Sequence, residues 1–284
     1  MHARARAACP PLPRALFSKP RSRESSAPSP REAAPRRARD APLLLTTGLL
    51  FFPSPPLPPF PPRHRYMDGG SLADVLHAAQ LTGSGPLSEM VLGKLAARTL
   101  AGLNYLHRER HQVHRDMKPG NILLNSRGEV KISDFGLSAE LDSTKEMCAT
   151  FIGTHAYMSP ERLGGKPYSF ASDIWSLGIT LVECALGQFP YTAYTGSNYF
   201  VLLSQILNDP PPQLPADTFS AEFRDFILQC LCKEPEQRPS AEQLLQHPFI
   251  RMYDDALRPF DMAGFVRSVT EMRLSSGAAP MSSA

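Results

Sequence analysis

Asp116, Lys118, Asn121 and Asp134 are the residues of this chain whose types and spacing could do chemistry. The first three fall in Val113-His114-Arg115-Asp116-Met117-Lys118-Pro119-Gly120-Asn121, and the last in Ile132-Ser133-Asp134-Phe135-Gly136. Phosphoryl transfer asks little covalent chemistry of a protein. It needs a group that accepts a hydroxyl proton, oxygen and amide ligands for Mg²⁺, and positive charge beside the phosphoryl group that moves. Two carboxylates, an ammonium and an amide supply those functions. Asn121 and Asp134 are thirteen positions apart, so a tight turn between them would gather all four around one site.

The elements that must do this positioning have their own signals. Ile122-Leu123-Leu124 and Val130-Lys131-Ile132 are short apolar runs flanking Asn125-Ser126-Arg127-Gly128, which predicts a β-hairpin. Upstream, Ser88 followed by Glu89 predicts the start of a long helix that buries Val91, Leu92, Leu95, Ala96, Leu103 and Leu106. That helix feeds directly into the segment holding Asp116. Ser71 is a natural cap for a shorter helix with the stripe Leu72, Val75 and Leu76. Downstream, Ser172 is expected to cap a helix reaching Gly187, apolar nearly all round and therefore central. Phe223, Phe226, Ile227, Cys230 and Leu231 mark another helix, where one thiol of the pair Cys230 and Cys232 would be buried and the other half-exposed. Ser240 to Gln243 has the form of a capping box. Order is expected to fall from Asp254 on, with residues 275–284 a frayed tail. The fold expected is mainly α, with only small hairpins.

At 284 residues, 42% apolar and 20% charged, the chain can bury one large core or two small ones. The formal charge of +3 is unevenly spread. Residues 1–65 carry 12 Lys+Arg against Glu24, Glu32 and Asp40, whereas the remainder carries 18 against 24. No basic stripe runs through the part that would fold, which argues against nucleic-acid binding. Residues 1–65 also hold 15 of the 29 prolines. Such a composition cannot bury enough apolar surface to offset chain entropy, so a disordered leader is expected. Its Arg-rich, Ser-rich, acid-poor start also has the composition of an organelle transit peptide. The apolar residues 43–52 are too few to span a bilayer and sit too deep for a secretory signal, so no membrane association is expected. Five cysteines without a C-x-x-C pair argue against a disulfide framework or a zinc site. They fit a reducing compartment, the cytoplasm and also the nucleus. His107, His111 and His114 lack an acid or cysteine to complete a metal set.

Together, His114-Arg115-Asp116-x-Lys118-x-x-x-Asn121 and Asp134-Phe135-Gly136 form the paired signature of protein kinases. From residue 66 to about 252 the chain resembles the large, helical lobe of that family, preceded by the leader of residues 1–65 and followed by a partly disordered extension, 253–284. Within the family it looks most like MAP kinase kinases. The residues that say so are 66–72 (Tyr-Met-Asp-Gly-Gly-Ser-Leu), 151–163 (Phe-Ile-Gly-Thr-His-Ala-Tyr-Met-Ser-Pro-Glu-Arg-Leu) and 172–178 (Ser-Asp-Ile-Trp-Ser-Leu-Gly). Thr144 and Thr150 match the S/T-x5-S/T phosphosite spacing of the plant-type enzymes.

The resemblance implies ATP-dependent phosphorylation of a MAP kinase on Thr and Tyr, with Mg²⁺, under the control of an upstream MAP kinase kinase kinase. It implies that Asp116 orients the substrate hydroxyl and takes its proton, that Lys118 neutralises charge on the γ-phosphate, and that Asn121 and Asp134 hold the metal. Met67 would bond the adenine edge from the hinge, Leu123 would lie under the ring, and Ser71 and Asp74 would line the ribose. Arg115 would pair with a phosphothreonine of the activation loop. His114, Asp173 and the ion pair Glu161–Arg238 would be structural. The departure lies upstream: no G-x-G-x-x-G and no V-A-I-K-like strand occurs anywhere. Two readings follow. One is a kinase of this type whose small lobe is lost from the sequence, as by a mistaken gene start. The other is a catalytically impaired module that binds MAP kinases or upstream kinases.

Overall fold

The computed structural model of the chain describes residues 67–134, 155–191 and 199–276. Residues 1–65, Phe135, Gly136, Thr144, Thr150, residues 151–154 and residues 277–284 lie outside the described residues.

β1 (Gly70–Ser71) pairs antiparallel with β2 (Ile122–Leu124), which pairs antiparallel with β3 (Val130–Ile132). The register sets Ser71 opposite Leu123 and Ile122 opposite Ile132. The β2–β3 turn is built on Asn125, whose buried side-chain oxygen accepts from the N–H groups of Arg127 and Glu129 at 3.1 and 2.9 Å. Gly128 closes the turn with φ +75°, a conformation that costs glycine nothing. The predicted hairpin is thus present, and the sheet is small.

Helices make up the rest. α1 (Leu72–Thr82) starts from Ser71 in a reciprocal capping box with Asp74 and stops at the left-handed Gly83. α2 (Glu89–Arg108) buries Leu92, Leu95, Ala96, Leu100 and Leu103, positions three and four apart on one face. After α3 (Pro160–Leu163) comes α4 (Phe170–Leu186), thirteen of whose seventeen residues are buried, which makes it the central helix. Its start differs from the expectation: Phe170 and Ala171 are already helical, so Ser169 is the cap. Ser172 sits at the third helical position and its hydroxyl accepts from the Ser169 N–H at 3.2 Å. Gly178 lets α4 approach its neighbour, since a Cβ there would stand 2.8 Å from Leu231 Cδ2.

α5 (Tyr199–Asn208) and α6 (Ala221–Cys230) follow, then α7 (Ala241–Leu245), capped by Ser240 and Gln243 as predicted, and α8 (Pro248–Met252). Phe223 and Phe226 of α6 pack on Phe249 of α8 with ring centroids 4.5 and 5.2 Å apart. Fully burying such a ring contributes roughly 1.5–3 kcal/mol. Cys230 and Cys232 are both buried, a correction to the half-exposed thiol expected of the pair. α6 ends at Cys230, so the 100° step that would carry Cys232 around the helix no longer applies. Order also continues past Asp254: α9 (Met262–Ser275) buries Met262, Val266 and Val269. Among the described residues no helix is long and apolar enough to cross a membrane.

Candidate active site

The loop between α2 and β2 is held from below by one carboxylate. Asp173, in the first turn of α4 and 1% exposed, accepts from the His114 N–H at 2.8 Å through Oδ2 and from the Arg115 N–H at 2.9 Å through Oδ1. His107 Nε2 of α2 lies 2.8 Å from Oδ2. These bonds clamp Arg115 at φ +76°, a left-handed conformation that costs a non-glycine residue about 1–3 kcal/mol unless its surroundings impose it. The imidazole of His114 is fully buried. Its Nδ1 accepts from the Asp116 N–H at 3.3 Å, so Nε2 carries the proton it donates to the Ser133 carbonyl at 2.8 Å. One ring therefore ties the Asp116 loop to the end of β3. The Ser133 N–H, bonded to the Asn121 carbonyl at 3.0 Å, adds a second tie.

Those ties place three of the four residues in contact. Asn121 Nδ2 donates to the Asp116 carbonyl at 2.7 Å and to Asp116 Oδ2 at 2.9 Å. Lys118 Nζ lies 3.1 Å from the same Oδ2. Asp116 Oδ1 accepts no hydrogen bond among the described residues, so a carboxylate oxygen remains for an incoming hydroxyl. Because both acceptors around Asn121 are oxygens, its amide presents NH₂ to them and leaves its carbonyl Oδ1 for a cation. Asp134 follows Ser133, is exposed, and has φ +59°. A carboxylate and an amide oxygen are the hard ligands Mg²⁺ takes, and two suffice for an ion that keeps waters and phosphate oxygens as its other ligands. The residues present thus fit the metal.

A narrow cleft beside Asp116 is lined by Arg115, Met117, Tyr157, Met158 and Tyr168. The exposed Arg115 guanidinium stands 5.8 Å from the centre of the Tyr168 ring, and Arg162 lies over the same ring at 3.7 Å. Behind the cleft, Arg238 grips Glu161 with two bonds, Nη1 to Oε1 at 2.9 Å and Nη2 to Oε2 at 3.2 Å. Burial by itself would raise the Glu161 carboxyl, but the bonds and charge of Arg238 outweigh it and hold the group below its ordinary range. Glu183 goes the other way: burial raises it, against the pull of the Tyr157 hydroxyl that donates to it at 2.5 Å.

At the other end, Met67 and Leu123 are half-buried, and the Met67 carbonyl accepts from Gly70 N–H at 3.1 Å. Ser71 and Asp74 are buried and bonded to each other. Asp74 Oδ2 accepts from the Ser71 N–H at 2.8 Å and hydroxyl at 2.7 Å. Arg273 of α9 lies 3.6 Å from Asp74 Oδ1. Thr144 and Thr150 fall outside the described residues. Sequence reasoning did not find His107 as a partner of Asp173, the Tyr157–Glu183 pair, or Arg273. Each pairs residues far apart in the chain and leaves no local spacing signal.

The protein kinase domain model matches residues 64–250. The chain belongs to the protein kinase family. Among curated relatives, this kinase chain is 50% identical over 204 residues to mitogen-activated protein kinase kinase 3 of Arabidopsis thaliana, covering 72% of this chain and 38% of the relative. It is 49% identical over 195 residues to mitogen-activated protein kinase kinase 1 of the same plant, covering 67% and 54%. It is 43% identical over 224 residues to the dual specificity mitogen-activated protein kinase kinase dSOR1 of Drosophila melanogaster, covering 71% and 54%. The kinase chain thus spans about half the length, or less, of the relatives it matches. The likeness to MAP kinase kinases drawn from residues 66–72, 151–163 and 172–178 is the one these comparisons find.

Proposed function

We propose that this chain is the large lobe of an ATP-dependent MAP kinase kinase, which transfers the γ-phosphoryl group of ATP to Thr and Tyr hydroxyls of a MAP kinase. The observation that carries the reading is Asp116 with Oδ2 fixed by Lys118 and Asn121 and Oδ1 accepting no hydrogen bond among the described residues, on a loop clamped by Asp173. Asp116 Oδ1 orients the substrate hydroxyl and takes its proton as the oxygen attacks. Lys118, beside that carboxylate, counters charge on the moving phosphoryl group. Asn121 Oδ1 and Asp134 would hold Mg²⁺, which when bound neutralises charge on the phosphates. Met67 and Leu123 bracket the base, and Ser71 and Asp74 lie at the sugar. Residues 67–74 and the hairpin fix this edge.

Thr144 and Thr150 are the switch in this reading, phosphorylated by an upstream MAP kinase kinase kinase. Each phosphate adds about −1.5 to −2 charges, and Arg115, exposed next to Asp116, is the cation that would pair with one. The cytoplasm and nucleus suit the buried cysteines Cys184, Cys230 and Cys232, none of which forms a disulfide among the described residues.

The test joins these residues to a complete small lobe and measures transfer of labelled phosphate from ATP to a MAP kinase. Transfer is expected, and phosphate mapping after upstream activation is expected to find Thr144 or Thr150. No transfer above background would sink the reading. The second reading, an interaction module, rests on the absence of a G-x-G-x-x-G segment from the sequence. It is favoured if the chain captures a MAP kinase yet transfers nothing even with a small lobe supplied.

A further inference from the structure

Met262, Val266 and Val269 of α9 are buried, and Arg273, its side chain 13% exposed, continues their stripe four residues on. Beneath this stripe the chain is thinned by glycine. A Cβ at Gly69 would stand 2.5 Å from Val266 Cγ1, one at Gly70 2.6 Å from Arg273 Nη1, and one at Gly128 2.8 Å from the Ala263 nitrogen. A Cβ at Gly128 would collide with the α9 backbone, and one at Gly69 or Gly70 would displace Val266 or the Arg273 guanidinium. The helix therefore rests on two segments at once, residues 69–74 and the β2–β3 turn. Polar contacts repeat the pattern, since Arg267 Nη1 donates to the Ser126 carbonyl at 3.3 Å and the Ser126 N–H donates to Asp68 Oδ1 at 2.7 Å.

Arg273 has a particular place in this. Asp74 is 4% exposed, and a carboxylate at that depth needs a cation or several hydrogen bonds to stay ionised. One of its oxygens closes the Ser71 capping box and the other faces Arg273. We propose that α9 is a supporting wall of the nucleotide pocket, and that Arg273 is a positioning residue for the sugar edge. By fixing the Asp74 carboxylate on the Ser71 cap, it sets the shape of the turn that faces the ribose of a nucleoside di- or triphosphate. Arg273 touches no nucleotide itself. The inference rests on the nucleotide reading of Met67, Ser71, Asp74 and Leu123 given above.

The test compares Arg273→Met, which keeps the aliphatic bulk and removes the charge, with Arg273→Lys, which keeps the charge. Two quantities are measured on the full chain: amide hydrogen exchange over residues 68–76, and titration with a fluorescent ADP analogue in Mg²⁺. In Arg273→Met, exchange over 68–76 should rise about tenfold while α4 stays protected. The dissociation constant should rise about fivefold, and Arg273→Lys should restore most of both. Unchanged exchange over 68–76 overturns the clamp. Raised exchange with unchanged ADP affinity makes Arg273 a fold residue only and overturns its positioning role. A wild-type chain that binds no ADP even when joined to a complete small lobe overturns the nucleotide reading and the role built on it, while the exchange result still decides the clamp. If Arg273→Met also loses protection in α4, Arg273→Gln carries the same comparison.

Discussion

The loop around Asp116 and the edge from Met67 to Asp74 serve one candidate site, yet different physics holds each in place. The loop is held by directed polar contacts from beneath. Asp173 grips two backbone N–H groups, the His114 ring spans to Ser133, and Arg115 is kept in a conformation it would not choose. The edge is held chiefly by close approach: glycines at 69 and 70 let the backbone lie flat under Val266 and Arg273, with a capping box, the Arg273–Asp74 pair and the Ser126 N–H bond to Asp68 among its polar contacts. A polar grip fixes angles and suits a base that must meet a hydroxyl. A packed edge fixes depth and suits a flat apolar ring. The contrast predicts that polar deletions should damage the loop most and added bulk should damage the edge most.

The largest effect should come from Asp173→Ala. It strands the buried N–H of His114 and the part-buried N–H of Arg115 and removes the partner of His107, so about 3–5 kcal/mol should be lost in urea unfolding. A loss under about 1 kcal/mol would break the comparison, because the loop would then not depend on its polar grip. Next is Asp116→Asn, tested alongside a complete small lobe. Phosphoryl transfer should fall by roughly 10²–10⁴-fold with little change in melting temperature, since in the proposed mechanism Asp116 accepts a proton and its side chain supports no core. Near-wild-type transfer would remove Asp116 from the chemistry. On the edge, Gly69→Ala should cost about 1–3 kcal/mol by overpacking against Val266 and the Leu124 carbonyl. Gly69→Ala with Val266→Ala should recover part of that. Recovery of nothing would mean that α9 does not set the depth of the edge.

The smallest effect concerns pH and separates the regions by charge. Glu161, bound to Arg238 behind the cleft, is held below its ordinary value of 4.5 in the folded protein. A carboxyl depressed by folding contributes stability that is fully present above 4.5 and is lost as pH falls through its lower folded value. Acidification from pH 7 should therefore start to loosen α3 and the start of α4 below about pH 4.5, and Glu161→Gln should flatten that part of the profile. Hydrogen exchange resolved by peptide would check it. Equal acid sensitivity in wild type and Glu161→Gln would take the pair out of the explanation.

Much of this was legible in the sequence where the signal is local. The caps at Ser71 and Ser240, the turn at Asn125 to Gly128, and the apolar run of α4 are short-range patterns, and the structure keeps each. Asp116, Lys118 and Asn121 sit within six positions, so their types alone announced a site. Ser172 misled because Ser169, three residues earlier, is an equally good cap, and the capping box uses both. The grip of Asp173 was not legible, because its partners lie 58 and 59 positions away and a lone aspartate in a first helical turn has an ordinary local role as well. α9 was missed because its buried stripe of Met262, Val266 and Val269 is thin, with Gly264, Arg267 and Ser268 between.

Trp175 is the only tryptophan in the chain and one of its most deeply buried side chains, with the Arg238 guanidinium 5.3 Å from its ring centre. Ultraviolet emission excited at the indole band therefore has a single origin, in the second turn of α4. In the folded lobe it should be blue-shifted, since the ring meets no water. Unfolding should move it to the red in one step with the loss of the Glu161–Arg238 pair next to it. An optical signal from one atom group thus reports on the core without any label, and a change in its intensity on titrating acid would mark the moment Arg238 loses its bonds to Glu161.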